Sequence, residues 1–262
     1  MSLRICSLAS GSSGNCYVVG TEDTVLLVDA GLSGKQIKER LVDLDQDINN
    51  VNAVLITHEH SDHIKGLSAL SKLNRLIFAS EKTFEALNLE LDSDLCQSFN
   101  PGEQFEIGDI LVSTFKTSHD AADPVGYCFE SEGKAICIVT DTGYVSEEIK
   151  SFISIADILV LEANHDENVL KMGRYPWFLK QRILSDEGHL SNEAAATALA
   201  EVMLAENPCK QRQVLLAHLS KENNFPEMAQ ATLENILRER GCSPKNCILH
   251  VLSRNEVSKI YE

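Results

Sequence analysis

An α/β fold, two mixed β-sheets packed face to face with helices outside, is what the sequence predicts, and three observations predict it. Short β-branched apolar runs alternate with stretches of helical spacing along the whole chain. Several of these runs end abruptly in a histidine or an aspartate, as where 54–56 give way to Thr57-His58-Glu59-His60 and 214–217 to His218. The 262 residues, 44% of them hydrophobic, are enough to bury a sizeable core, so a single domain over 1–262 is expected.

Residues 3–8 and 16–19 read as strands joined by Ala9-Ser10-Gly11-Ser12-Ser13-Gly14-Asn15. Glycine and serine at this density leave backbone N–H groups and hydroxyls able to hold an anion. Ser10, Ser12, Ser13 and Asn15 are therefore candidate substrate contacts, with a plain hairpin turn as the alternative. A strand over 24–30 carries Asp29 near its end, and 34–44 have an amphipathic stripe of Ile37, Leu41 and Leu44. Residues 51–56 form a buried strand, and Ile64, Leu67, Leu70 and Leu73 recur at helical spacing. A strand over 76–79 and a helix over 81–87 precede the acidic stretch 88–109, which reads as solvated surface without chemistry. The strand over 110–116 leads into Thr117-Ser118-His119-Asp120. Strands over 126–130 and 135–140 pair across Ser131-Glu132-Gly133, and the second ends in Asp141.

A strand over 157–162 runs into Ala163-Asn164-His165-Asp166. The segment 170–182 reverses the chain's charge, interleaving Lys171, Arg174, Lys180 and Arg182 with Tyr175, Trp177 and Phe178. Cations beside aromatics track a phosphate backbone and stack on bases, which makes Arg174 and Tyr175 candidate contacts. The alternative is aromatics packed on the core with the cations in water. Gly188-His189-Leu190-Ser191-Asn192 precedes an alanine-rich helix over 193–205, with Ser191 or Asn192 as N-cap and anion-site candidates. Lys221 follows the strand at 214–217, then a helix over 226–240 and a strand over 246–252.

The chemistry centres on His58, His60, Asp62 and His63, four ligand-type side chains within six residues directly after a buried strand. Imidazoles mixed with a carboxylate suit a hydrolytic metal centre. His119, Asp141 and His218 repeat the device of a ligand-type residue at a strand's carboxyl end, and such ends on one sheet edge build one site.

Composition sets bounds. Eight cysteines are scattered singly without a Cys-x-x-Cys pair, as suits a reducing cytosol. With no apolar run of membrane-spanning length and no secretory leader, a cytoplasmic protein without membrane contact is expected. The net charge of −16 opposes nucleic-acid binding, which draws on Lys and Arg, although bound divalent ions reverse the local field.

Thr57-His58-Glu59-His60-Ser61-Asp62-His63 matches the His-x-His-x-Asp-His signature of the metallo-β-lactamase superfamily. Ser10-Gly11-Ser12-Ser13-Gly14-Asn15, Leu161-Glu162-Ala163-Asn164-His165-Asp166, Gly188-His189-Leu190-Ser191-Asn192 and His218-Leu219-Ser220-Lys221 resemble its bacterial YycJ/WalJ group over essentially the whole chain. The resemblance implies a four-layer αββα sandwich with two divalent ions, Zn or Mn. His58, His60 and His119 would hold one, Asp62, His63 and His218 the other, and Asp141 would bridge them, with Asp29 orienting ligands from outside. The implied activity is exonucleolytic cleavage of DNA, with RNA as the alternative substrate, from the 5′ end. A shared water whose pKa the ions lower from 15.7 toward roughly 7 would attack. Asp62 belongs to that machinery, with His189 as donor to the leaving oxygen and His165 as a weaker candidate. A competing reading is hydrolysis of a small ester, thioester, lactone or cyclic phosphodiester at the same centre. A third, a scaffold with structural metals, conflicts with an open ligand set. Oligomeric state is left open.

Overall fold

The computed structural model describes residues 2–206, 208 and 210–262, so one of the eight cysteines, Cys209, lies outside them. The chain divides into two compact units. The first comprises Met1–Lys116, Ala121–Lys134 and Ser253–Glu262, the second Thr117–Asp120 and Ala135–Leu252.

In the first unit, β1 (Arg4–Ala9), β2 (Cys16–Gly20) and β3 (Val25–Val28) run antiparallel. Three strands continue the sheet in parallel: β4 (Ala53–Leu55), β5 (Leu76–Ser80) and β6 (Cys96–Phe99). Helix α1 (Gly34–Val42) starts in a capping box, Ser33 and Gln36 each satisfying the other's backbone N–H. Its buried Ile37 and Leu41 join Leu27, Val54, Ile56, Leu67 and Leu70 in one core, as the apolar spacing of both segments requires. An antiparallel meander follows, made of β7 (Gln104–Ile107), β8 (Ile110–Lys116) and β9 (Val125–Ser131), strands of the second sheet.

Two expectations are corrected here. The stretch 88–109 is more than solvated surface, because it contains β6 and β7. Each strand exposes two of its four side chains; Cys96-Gln97-Ser98-Phe99 does not alternate, and the alternation of β7 spans only Gln104 to Ile107, too short to stand out in an acidic stretch. Phe105 nonetheless stacks on Phe78 at 4.9 Å. The helix expected from Ile64 is two single turns, α2 (Ser61–Ile64) and α3 (Leu67–Leu70), ahead of the short α4 (Glu81–Ala86). Gly66 separates α2 from α3. Its N–H donates to the Ala30 carbonyl at 2.7 Å, and a Cβ there would stand 2.3 Å from the Leu32 carbonyl oxygen.

The second unit is built on parallel strands. β10 (Lys134–Val139) leads through α5 (Glu147–Ile155) to β11 (Ile158–Glu162). Two short helices follow, α6 (Glu167–Met172) and α7 (Trp177–Ile183), then the long α8 (Asn192–Ala205), which Ser191 caps. β12 (Arg212–Ala217), α9 (Pro226–Glu239) and β13 (Cys247–Val251) complete it. Val139, Leu161 and Leu216 lie side by side in register. That register delivers the residues after each strand to one carboxyl edge, where crevices of parallel sheets form.

Backbone bonds help to sew the metal-motif loop to the first sheet: Asn15 N donates to Asp62 O at 2.8 Å and Ala30 N to His63 O at 2.6 Å, while Gly31 N donates to Asn15 O at 2.8 Å. Gly31 makes this approach affordable, since a Cβ there would fall 1.7 Å from the Asp62 carbonyl oxygen. Gly31→Ala is expected to destabilise the chain by about 1–3 kcal/mol or more through overpacking, read as a lower urea midpoint; an unchanged midpoint contradicts this packing.

Candidate metal centre

In the first unit, β4 ends at Leu55 and the chain stays extended to His60, which caps α2 in a β conformation. The extended segment carries His58 and His60, and the first turn of α2 carries Asp62 and His63. The His58 ring lies 4.6 Å from His60 and 4.1 Å from His63, centroid to centroid. Asp62 Oδ2 is 3.7 Å from His63 Nε2.

Beneath them sits Asp29, fully buried and in the left-handed region at φ 60°. Its carboxylate accepts from Thr57 N at 2.9 Å, from Thr57 Oγ1 at 3.0 Å and from His63 Nδ1 at 2.7 Å. A carboxylate only accepts, so His63 is protonated on Nδ1 and its lone pair is on Nε2. Thr57 Oγ1, having given its one proton to Asp29, accepts from His58 Nδ1 at 3.0 Å. His58 is thereby held in the same tautomer. Burial pushes the Asp29 carboxyl up, with His63 and the Thr57 hydrogen bonds pulling the other way.

The second unit repeats the device. Asp141, at φ 55°, and His218, at φ 54°, turn left-handed just past their strands, a strained conformation that clusters at functional sites. Asp141, Glu162, His189 and His218 each offer a ligand atom, and these atoms all lie within 4.8 Å of one another. Glu162, fully buried, accepts from His189 Nδ1 and His218 Nδ1 at 2.8 Å each. It also accepts from Thr142 N and Leu190 N. Burial opposes its ionisation, yet the two imidazoles hold the carboxyl well below the usual carboxylate range. His119 Nδ1 donates to the Gly188 carbonyl at 3.0 Å, leaving Nε2 free of its proton and 3.8 Å from Asp141 Oδ1. Burial lowers the His119 pKa.

Glu162 is the residue that sequence reasoning missed. It closes the strand 158–162, the same strand-end placement that singled out Asp141 and His218, but it was absorbed into a motif without a role. His165 is buried and both its ring nitrogens lack a partner among the described residues; burial lowers its pKa to about 4.

The nine expected substrate contacts divide by exposure. Ser10 bonds the Tyr17 hydroxyl at 2.9 Å, and Asn15 accepts from Gly11 N and reaches His63 Nε2 at 3.1 Å. Ser191 caps α8, and Asn192 bonds Asn224; these four are buried. Ser12, Ser13, Arg174 and Lys221 are exposed and Tyr175 half-buried. Ser12 and Ser13 line an open groove of about 630 Å³ with Ser61, Asp62, Lys65 and Ser68. Imidazoles with outer hydrogen bonds and interposed carboxylates are a donor set that fits a divalent ion.

The β-lactamase superfamily domain pattern matches residues 24–219. The chain belongs to the metallo-β-lactamase superfamily. It is 45% identical to the exodeoxyribonuclease YycJ of Bacillus anthracis over 247 residues, covering 92% of this chain and 91% of that one. It is 44% identical to the exodeoxyribonuclease WalJ of Streptococcus pneumoniae D39, covering 88% and 87%. The metallo-β-lactamase fold protein YhfI of Bacillus subtilis superposes with TM-score 0.73 at 17% identity, over 98% of both chains. The superfamily fold, two sheets flanked by helices, is therefore that of this chain, and its His/Asp clusters are those of a divalent-metal site.

Glu162→Gln is expected to weaken metal binding roughly 10–100-fold, the usual cost of losing a partner that orients a ligand. Competition against a chromogenic chelator measures it. Unchanged affinity in a folded variant would remove Glu162 from the site.

Proposed function

We propose that the chain is a metal-dependent DNA exonuclease working from the 5′ end, with two divalent ions, Zn or Mn. His58, His60 and His119 take one, Asp62, His63 and His218 the other, and Asp141 is shared. The observation that carries this reading is the 45% identity to an exodeoxyribonuclease over 92% of the chain. The superfamily pattern runs through both compact units, which supports one catalytic domain over 1–262. No helix among the described residues is long and apolar enough to cross a membrane, and the seven described cysteines are free thiols, which supports a cytoplasmic setting.

When bound, the ions would supply Lewis-acid polarisation of the phosphodiester and activation of the attacking water. The chain's own groups do the rest. Asp29, Thr57, Glu162 and the Gly188 carbonyl hold the imidazoles so that Nε2 is the donor atom. Ser12, Ser13, Lys221 and Arg174 are exposed groups suited to phosphate oxygens. His189, with its side chain 14% exposed, is the candidate acid. Its Nδ1 donates to the buried Glu162 carboxylate at 2.8 Å, so Nε2 is the nitrogen through which a proton would reach the leaving oxygen.

A second reading, hydrolysis of a small ester or cyclic phosphodiester, draws on the −16 charge. Salt separates the two, since binding through several phosphates weakens steeply as salt rises. Incubating Mn- or Zn-loaded protein with 5′-labelled duplex and single-stranded DNA should release labelled mononucleotide in low salt, and the Asp62→Ala protein should release none. Absence of nucleotide under either metal would sink the nuclease reading. His189→Ala should lower turnover about 10²–10⁴-fold, the usual worth of a positioned acid, at unchanged metal content by elemental analysis. Unchanged turnover removes His189 from the mechanism.

A further inference from the structure

We propose that Trp177, flanked in sequence by Phe178 and Arg174, is a stacking platform for an unpaired base near the end of the DNA strand, on the retained side of the bond being cut. The inference rests on the nuclease reading and names the form of substrate that the site receives. Of the alternative raised by the sequence, aromatics packed on the core with cations in water, the first half fails: Lys171, Arg174 and Arg182 are exposed, but so are two of the aromatics, and Lys180 is buried in their place. Trp177 is 67% exposed and Phe178 73%, while Lys180 is buried at 8% exposure. The Lys180 ammonium donates to the Lys171 and Gly173 carbonyls at 2.7 Å each. Leu179 N and Lys180 N both donate to the Pro176 carbonyl, at 3.0 and 3.1 Å. The turn before α7 is thus tied to the helix itself, and the two rings project from fixed backbone. Ordered aromatic surface left in water forgoes the burial that such rings normally gain, and a face of this kind marks a binding site.

Charge and position indicate the occupant. Two neighbouring cations are committed, Lys171 to Glu167 and Arg182 to Asp120. Arg174 is exposed and has no ion pair among the described residues. An exposed guanidinium three residues before an exposed indole suits a phosphate neighbouring a stacked base. The far end of α7 reaches the candidate acid: His189 N donates to the Ile183 carbonyl at 3.0 Å. From Trp177 to Ile183 the helix rises about 9 Å at 1.5 Å per residue, the height of roughly three stacked bases at 3.4 Å. A base held at Trp177 would lie a few nucleotides from the bond being cut. A second copy of the chain fits less well. A few side chains on a one-to-two-turn helix fall short of the roughly 800 Å² per partner of a stable interface.

Trp177 is the only tryptophan in the chain, so its fluorescence reports on this site alone. The metal-loaded protein would be titrated with a labelled 5′-phosphorylated oligothymidylate of about ten nucleotides and with a blunt hairpin duplex, both carrying phosphorothioate linkages that resist cleavage. Fluorescence and anisotropy would be read together. The single strand is expected to quench Trp177 more strongly than the hairpin. Trp177→Ala should weaken single-strand binding roughly 5- to 150-fold, the usual worth of one stacked base, and Trp177→Phe should recover most of it. Oligonucleotide binding without quenching, or with unchanged affinity in a folded Trp177→Ala protein, overturns the platform and leaves the nuclease reading standing. A dimer that Trp177→Ala dissociates, seen by sedimentation, overturns it in favour of self-association. No binding of either DNA and no nucleotide release in the labelled-DNA assay would remove the nuclease reading as well.

Discussion

Two buried carboxylates, Asp29 and Glu162, govern the chemistry available to the histidines around them. Each is fully buried, where an unpaired carboxylate is costly enough to be driven to neutrality. Each is satisfied instead by histidine Nδ1 atoms and backbone N–H groups. Because the carboxylates only accept, the proton must be on Nδ1 and the lone pair on Nε2. The arrangement thus stabilises the fold and prepares the ligands in one set of bonds. Removing either carboxylate would release both.

The scaffold sustains this at a local cost. Asp29, Asp141 and His218 adopt left-handed backbone conformations without being glycine, at about 1–3 kcal/mol each. Their strands are short, buried and parallel-paired, and the register of β10, β11 and β12 leaves the residue after each strand little freedom. In the first unit, the bonds of Asn15 and Ala30 to the 62–66 turn perform the same service. Strain that a loop alone could not hold is borne by a sheet edge that has no other arrangement.

Much of this was legible in the sequence because chemistry and periodicity coincide at strand ends. A β-branched run followed by His58, Asp141 or His218 signals both the end of a strand and a ligand. Asp29 was found by resemblance, since a buried strand aspartate has no periodic signature. Glu162 escaped because its role lies in contacts with His189 and His218, 27 and 56 positions away. The edge strand β6 escaped because Cys96–Phe99 does not alternate, and β7 because its alternation is confined to the four residues Gln104–Ile107 inside an acidic stretch. The exposure of Trp177 and Phe178 was hidden for the opposite reason: a lysine, Lys180, occupies the buried position that apolar counting assigns to the aromatics.

The net charge of −16 stands against a polyanionic substrate, and bound divalent ions offset it only where they sit. On the proposed reading, affinity for DNA comes from a few well-placed groups and from the metal centre, whose competence rests on the histidine tautomers. Long-range proton–nitrogen NMR of histidine-labelled, metal-free protein reads those tautomers directly. Protonation on Nδ1 at His58, His63, His119 and His218, with Nε2 bare, is the predicted result. Protons on Nε2 at His63 and His218 would contradict the account.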